Sequence, residues 1–367
     1  MMLEIFVSFL ILFSVWSLAV YTYRNYIIPA GLSTDRVWAV YLQYNTDSDS
    51  VRLVNSELVR QHLRNYKGIE AFSFTSANVP FGFSTMNNSF GQDGKNVMSD
   101  VLSVDPEYPD VLGVTLLSGK WFSAADTIGG RHPVVITRHL AEDLFGTSEV
   151  AGKEFGEGDG KRKVVGVVEY FRHKSSFQAD ENCLFQPAGA WDNDMVVKVA
   201  PDANAEFEAQ LARSLQQLGT NWTVEIQHLD SMKSTQDRLI LIPILILFIV
   251  CGFLVFNVGL GLFGVLFQNV SRRRGEIGIR RAVGATQKQI LQYFIGETLV
   301  IATFGVALGV FFAAQIPLLN VLDVETAVYV WGIVLAVASI YLMAALCAFY
   351  PSRQAAVIYP AVALHDE

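Results

Sequence analysis

Three features of the sequence hold residue types that could do chemistry. Gly146-Thr147-Ser148-Glu149-Val150-Ala151-Gly152-Lys153 has the glycines and lysine of a phosphate-cradling loop. It carries one residue too many between the glycines, and Glu154 stands where a magnesium-binding hydroxyl is needed, so it reads as a loop after a helix. The six histidines are scattered, with no His-x-x-x-His pair and no Cys/His group at metal-ligand spacing. No serine sits in an elbow-type motif. The third feature is Val270–Thr286, which reads VSRRRGEIGIRRAVGAT. Its chemistry is recognition. Glu276 precedes Arg280 by four residues, a favourable helical ion-pair order. Ile279 and Val283 share that spacing and make a small apolar face, and Gly284 supplies a stop. A short basic helix with apolar knobs suits insertion into a groove on a partner.

Four apolar blocks must position that segment. Apolar residues make up 51% of the 367 and charged residues 17%, with a mean hydropathy of +0.33. A hydrocarbon core of about 30 Å needs about 20 apolar residues in a helix. Leu3–Tyr23, Leu239–Phe267, Leu299–Leu319 and Ala327–Tyr350 meet this, and backbone self-satisfaction in lipid makes each a helix. Leu239–Phe267 is 29 residues without a charge, about 43 Å of helix, so it tilts or projects as a stalk. The first block lacks the basic start and cleavage site of a signal peptide and is expected to stay as a span. Gln268–Gln289 carries Arg272, Arg273, Arg274, Arg280, Arg281 and Lys288 against Glu276 alone, whereas the loop before the fourth span has Asp323 and Glu325. The positive-inside rule therefore puts the first loop and both termini inside and residues 24–238 outside. Glu4 on the inner flank and Arg24 on the outer flank of the first span run against this local pattern. The six-base loop outweighs them.

Residues 24–238 hold 20 Lys+Arg against 28 Asp+Glu, which offers no basic face to a nucleic acid. Cys183 stands alone there, so no disulfide is expected within the segment. Strands are predicted at Val37–Tyr44, Ile69–Thr75, Val97–Val104, Val134–Ile136, Lys163–Tyr170, Met195–Val199 and Trp222–His228. Helices are predicted near Asn55–Tyr66, Thr137–Phe145 and Asn204–Leu218. Phe81–Asn96 and Gly156–Lys161 read as hairpin tips or loops. The expected fold class is a helical membrane protein with four transmembrane helices and a large extracytoplasmic α+β domain of two lobes.

The segment Val270–Thr286 resembles the coupling-helix signature REIGIRRAxGA of the MacB/FtsX family of ABC-transporter permeases. QKQILQYFIGETL, Gln287–Leu299, is similar to that family's entry into its third span. YPSRQAAVIYPAVAL, Tyr350–Leu364, resembles its P-A-R-x-A-A-x-x-x-P-x-x-A-L tail. Val104–Phe122, Val134–Phe145 and Val164–Phe171 are similar to its periplasmic core domain. The resemblance implies boundaries of 1–23 for the first span, 24–238 for the outer core domain and 239–267 for the second span with stalk. The coupling loop would be 268–289, the FtsX-like helices 290–350 and the cytoplasmic tail 351–367. It implies a permease of the bacterial inner membrane without ATPase activity or cofactor of its own. A separate ABC ATPase subunit would grip Glu276, Ile277, Ile279, Arg280, Arg281, Val283, Gly284 and Ala285. A second permease subunit, lipid, and a periplasmic adaptor with an outer-membrane duct complete the expected partners.

ATP-driven closure would then move the outer domain through the long second span, for export of a peptide, antibiotic, toxin or lipoprotein. The competing reading is an ATPase-gated regulator of a cell-wall hydrolase or sensor kinase. Gly305 and Gly309, extended by Ala313, form a small-xxx-small face that permits close helix approach. Such matches are common in membrane helices, and the sequence leaves open whether this one serves the dimer. Glu297, near the inner end of the third span, is either solvated at the interface or paired with an arginine of the coupling loop. Two departures from the family pattern are expected to matter. No basic amphipathic helix stands before the first span, and Gly275 replaces a charged or polar residue at the start of the coupling helix.

Overall fold

The computed structural model describes residues 2–356 except 46–47, 77, 93, 128–131, 157–159, 180 and 320–323. The chain divides into two compact units, Asn25–Leu241 and the spans that precede and follow it.

After α1 (Met2–Ile27), the outer unit alternates β1 (Val37–Gln43), α2 (Asp49–Arg64), β2 (Ile69–Thr75), β3 (Asn87–Gln92), β4 (Lys95–Val104), α3 (Tyr108–Leu112) and β5 (Leu116–Gly119). It continues with β6 (His132–Thr137), α4 (Arg138–Phe145), β7 (Glu154–Phe155), β8 (Arg162–Val168), β9 (Cys183–Pro187), β10 (Asp194–Val199), α5 (Ala205–Gln216) and β11 (Thr223–His228). The strands pair in the order β11-β1-β10-β2-β4-β9-β6-β8-β5, with β3 added to β4 and β7 to β8.

The α+β class holds, but the two expected lobes do not appear as separate sheets. Among the described residues, one eleven-stranded sheet carries both halves. The period-2 alternation of strand side chains explains the layering. On one face Val37, Ala39, Leu102, Val104, Val135, Phe185 and Val196 join a single core that runs from β1 to β8. On the other face there are two patches. Trp38, Val40, Met195 and Val197 lie under α2 and α5, and Val101, Val134, Ile136 and Leu184 lie under α4. What the sequence pattern suggested as two lobes is two helix-covered patches on one sheet. The seam between them is thin: among the described residues β2 and β4 share the one register pair Thr75–Val104, continued by the Ser76 amide donating to the Ser103 carbonyl. Asp105 reinforces it by accepting from the Phe74 amide at 2.9 Å and from Arg60 Nη2 at 2.8 Å.

In the other unit, α6 (Leu229–Arg272) is followed by α7 (Arg274–Ala282), α8 (Gln287–Ala313), the one-turn α9 (Gln315–Leu318) and α10 (Thr326–Ala356). Among the described residues, four helices are long and apolar enough to cross a membrane: α1, α6, α8 with α9, and α10. Three of them knit together. Ile5, Phe9 and Phe13 of α1 share a core with Ala302, Val306 and Ala313 of α8 and with Tyr329, Ala336, Ile340 and Ala344 of α10. α6 stands apart. Only 6% of its most apolar window is buried, against 28% in each of the other three. Its contacts with α10 lie toward its C-terminal half, where Cys347 Sγ is 3.4 Å from the Gly259 carbonyl and Phe263 meets Tyr350.

Candidate functional site

The chain breaks helix at Arg273, between α6 and α7, and again between α7 and α8. The second break follows from Gly284, at φ +105°. The Gly284 amide donates to the Arg281 carbonyl and the Ala285 amide to the Arg280 carbonyl, which is the Schellman pattern of a helix closed by a left-handed glycine. Thr286 then opens α8 with a capping box, its hydroxyl accepting from the Gln289 amide while Gln289 Oε1 accepts from the Thr286 amide. The open position of Gly275, with nothing within 4 Å of where a Cβ would sit, does not prevent α7 from starting at Arg274.

α7 presents two faces. Ile277 is 1% exposed and packs with Val270, Ile290 and Phe294, with Ala285 at the edge of that cluster. Ile279 and Val283 point the opposite way and are 56% and 84% exposed. Of the apolar residues expected to meet a partner, the structure therefore leaves Ile279 and Val283 available and turns Ile277 inward as an anchor. The ions divide similarly. Arg280 Nη2 donates to Glu276 Oε1 at 2.5 Å and its guanidinium lies 4.2 Å from the centroid of the Tyr293 ring. Arg281 Nη1 reaches back to the Ala285 carbonyl at 3.1 Å. Glu297 is paired: Arg273 Nη1 lies 2.8 Å and 3.0 Å from its two carboxylate oxygens. Of the two readings of Glu297, pairing with the loop is the one observed. Three contacts thus tie the turn to α8: Arg273 to Glu297, Ile277 to Ile290 and Phe294, and Arg280 to Tyr293.

The small-residue face of α8 is occupied within the chain. A Cβ on Gly305 would come within 2.9 Å of Ile5 Cγ2, and one on Gly309 would collide with the Phe9 ring. Ala313, 1% exposed, belongs to the same core. The partner of Gly305 and Gly309 here is α1. Arg24, whose position runs against the charge pattern, pairs with Glu325, so its charge is matched. Asp323 and the tail beyond Ala356, where the end of the family-like motif falls, lie outside the described residues.

The fold also assembles a cluster that spacing could not show. Asp100, His173 and Cys183 are all buried and bring ligand-type atoms within 4.8 Å of one another. His173 Nε2 lies 3.4 Å from Asp100 Oδ2, and its Nδ1 lies 3.6 Å from Cys183 Sγ. The donor types would suit a divalent cation. However, the Lys174 ammonium already lies 2.6 Å from Asp100 and 3.0 Å from Glu181. Burial works against charge on Lys174, but the bonds to both carboxylates hold its pKa above the ordinary value. Burial pushes His173 down to about 4 and Glu181 up to about 7. A neutral imidazole beside an ammonium that fills the cationic place describes a structural network.

Residues 5–214 match the MacB-like periplasmic core domain, and residues 240–360 match the FtsX-like permease C-terminal domain. The chain belongs to the MacB/FtsX-like ABC-transporter permease family. Among curated relatives of this family, the macrolide export ATP-binding/permease protein MacB of Neisseria gonorrhoeae is 26% identical over 292 residues, covering 74% of this chain and 44% of that protein. The ABC transporter permease YknZ of Bacillus subtilis is 22% identical, covering 70% of this chain and 65% of that one. The chain thus spans less than half the length of the MacB relatives. Among solved structures, the periplasmic region of MacB from Actinobacillus actinomycetemcomitans aligns with 16% identity and a TM-score of 0.39, covering 56% of this chain and 94% of that one.

Proposed function

We propose that this chain is the permease subunit of an ABC transporter that converts ATP hydrolysis by a separate ATPase into movement of its outer domain. The observation that carries the reading is the division of labour on α7. Ile277 fixes the helix to α8, while Ile279 and Val283 stand in the open within a basic surround, as a helix meant for a partner's groove requires. The ATPase groove receives those two side chains, and the matched signature residues Glu276, Arg280, Arg281, Gly284 and Ala285 shape the helix and its end. Closure of the ATPase pair pushes α7. The three contacts to α8 pass the push into the knitted helices, and the weakly packed α6 acts as the lever. Two such permeases pair about a twofold axis, with N- and C-termini in the cytoplasm and the outer domain handling a peptide, antibiotic, toxin or lipoprotein.

The test is co-reconstitution with the ATPase in proteoliposomes. Ile279→Asp with Val283→Asp alters only exposed side chains, so the permease should insert and fold as before while ATPase stimulation falls about tenfold or more, the loss of two central apolar anchors at about 1 kcal/mol or more each. Full stimulation by this double variant would exclude the assignment.

A further inference from the structure

The outer unit is joined to the spans through two chain segments, the end of α1 and the start of α6. Both are held by one loop, Phe171–Gln178. On the α1 side, Arg172 is 2% exposed. Its Nη1 donates to the carbonyls of Asn25 at 2.5 Å and Ile28 at 3.1 Å, and its Nη2 to those of Ser176 at 2.8 Å and Gln178. Asn25 is in the last turn of α1, whose carbonyls lack helical partners and form the negative pole of the helix. A buried guanidinium there acts as a cap. The Arg172 amide donates to the Ala30 carbonyl at 2.9 Å, Asn25 Nδ2 donates to the Phe177 carbonyl at 3.2 Å, and Tyr26 stacks on Phe177 at 5.4 Å.

On the α6 side, Asp237 accepts three bonds from the same loop: the Ser175 hydroxyl at 2.8 Å, the Ser176 amide at 2.8 Å and the Ser176 hydroxyl at 3.0 Å. One turn of chain helps from below, as Gln236 Nε2 donates to the Phe81 and Gly82 carbonyls while the Phe81 amide donates to the His173 carbonyl. His173 and Lys174, in the middle of the loop, are anchored on Asp100 and Glu181. The loop has an anchor in the sheet and an arm on each foot.

We propose that Phe171–Gln178 is a clasp that makes the foot of α1 and the foot of α6 respond as one, with Arg172 and Asp237 as the positioning residues. The idea deepens the mechanical reading above, because a lever needs a joint where its motion enters the load. Contacts confined to one loop can transmit strain between two feet only if loosening one loosens the other, and such coupling is reciprocal.

Hydrogen exchange of the full chain in lipid nanodiscs, with no ATPase present, tests this separately from the ATPase assignment. Asp237→Ala touches only the α6 foot, yet amide exchange at Asn25–Ile28 should rise at least about fivefold. Asp237→Asn keeps an acceptor for the Ser176 amide and should restore protection. The converse variant, Tyr26→Ala, removes an exposed ring and carries little risk to folding. It should speed exchange at Lys233–Asp237. Protection of β9 serves as the folding control throughout. If each variant loosens its own foot and leaves the other at wild-type rates, the two feet are independent and the clasp is excluded.

Discussion

Gly309 on α8 and Gly252 on α6 are both glycines within apolar spans, yet their surroundings are opposite. A Cβ at Gly309 has the Phe9 ring in its way, while at Gly252 nothing lies within 4 Å. The same contrast runs along the two helices. α8 shows small residues at Ala302, Gly305, Gly309 and Ala313, one every three or four positions, each buried against a neighbour. α6 shows Ile242, Leu245, Ile246, Ile249, Phe253 and Phe256 exposed. Without a hydrophobic drive between helices in lipid, close packing through small residues is what holds spans together. α6 packs this way at Gly259, beside Met343 and Cys347 of α10, and leaves most of its length open. The bundle is thus a tight trio plus one loosely held helix, and the loosely held one is the 44-residue element that reaches the outer unit.

The most severe way to break this contrast is Gly309→Leu. Overpacking against Phe9 should destabilise the chain by about 3 kcal/mol or more, read as a large drop in thermal unfolding temperature in detergent. Gly252→Leu should leave the unfolding temperature unchanged, and equal losses in both would end the distinction between α8 and α6. Next in size is Ile277→Ala, which empties the pocket formed by Val270, Ile290 and Phe294 and should cost about 2–4 kcal/mol. Val283→Ala, on the open face of the same helix, should cost nothing measurable in stability. Smaller again is the Arg273–Glu297 pair, with side chains 42% and 36% exposed. A double-mutant cycle of Arg273→Gln and Glu297→Gln should return a coupling of about 0.5–1 kcal/mol.

The smallest effect belongs to the outer unit and asks whether it reports independently of the spans. Glu181 is held protonated up to about pH 7, chiefly by burial. The folded state then binds more protons than the unfolded one from the ordinary carboxylate pKa up to about 7, so this group's contribution to stability falls as pH rises through that window. Glu181→Gln mimics the protonated form. It should match the parent at pH 5 and melt about 2–4 °C higher at pH 8.

The spans were legible because about 20 apolar residues in a row admit only one solution in lipid. Helix length was not. α6 begins at Leu229, ten residues before the apolar run, because Lys233, Asp237 and Arg238 are good enough helix residues that hydropathy alone cannot register. Among strands, β3, β5, β7 and β9 lie outside the expected set. β3 (Asn87–Gln92) forms inside Phe81–Asn96, expected as a hairpin tip or loop, because it pairs with β4 despite its polar sequence. In β9, Cys183-Leu184-Phe185 is apolar on both faces, as suits a central strand paired in parallel with β4, and so lacks alternation. Pro187 at its end obscured it further. In the candidate site, Ile277 and Ile279 are equally apolar and two residues apart, so they point to opposite sides of a helix. Which side packs inward depends on Ile290 and Phe294 arriving from α8, and spacing within the loop carries no record of that. Likewise the convergence of Asp100, His173 and Cys183 follows from strand pairing between distant segments.

For a cytoplasmic ATPase to grip it, α7 must face the cytoplasm while the outer unit faces away. Single cysteines at Val283, 84% exposed, and Phe83, 77% exposed, in a background lacking the three native cysteines, measure this directly with a membrane-impermeant maleimide. In intact cells with a permeabilised outer layer, the Phe83 site should label and the Val283 site should stay silent until the inner membrane is opened. Labelling at Val283 in sealed cells would place the helix where no cytoplasmic ATPase can reach it.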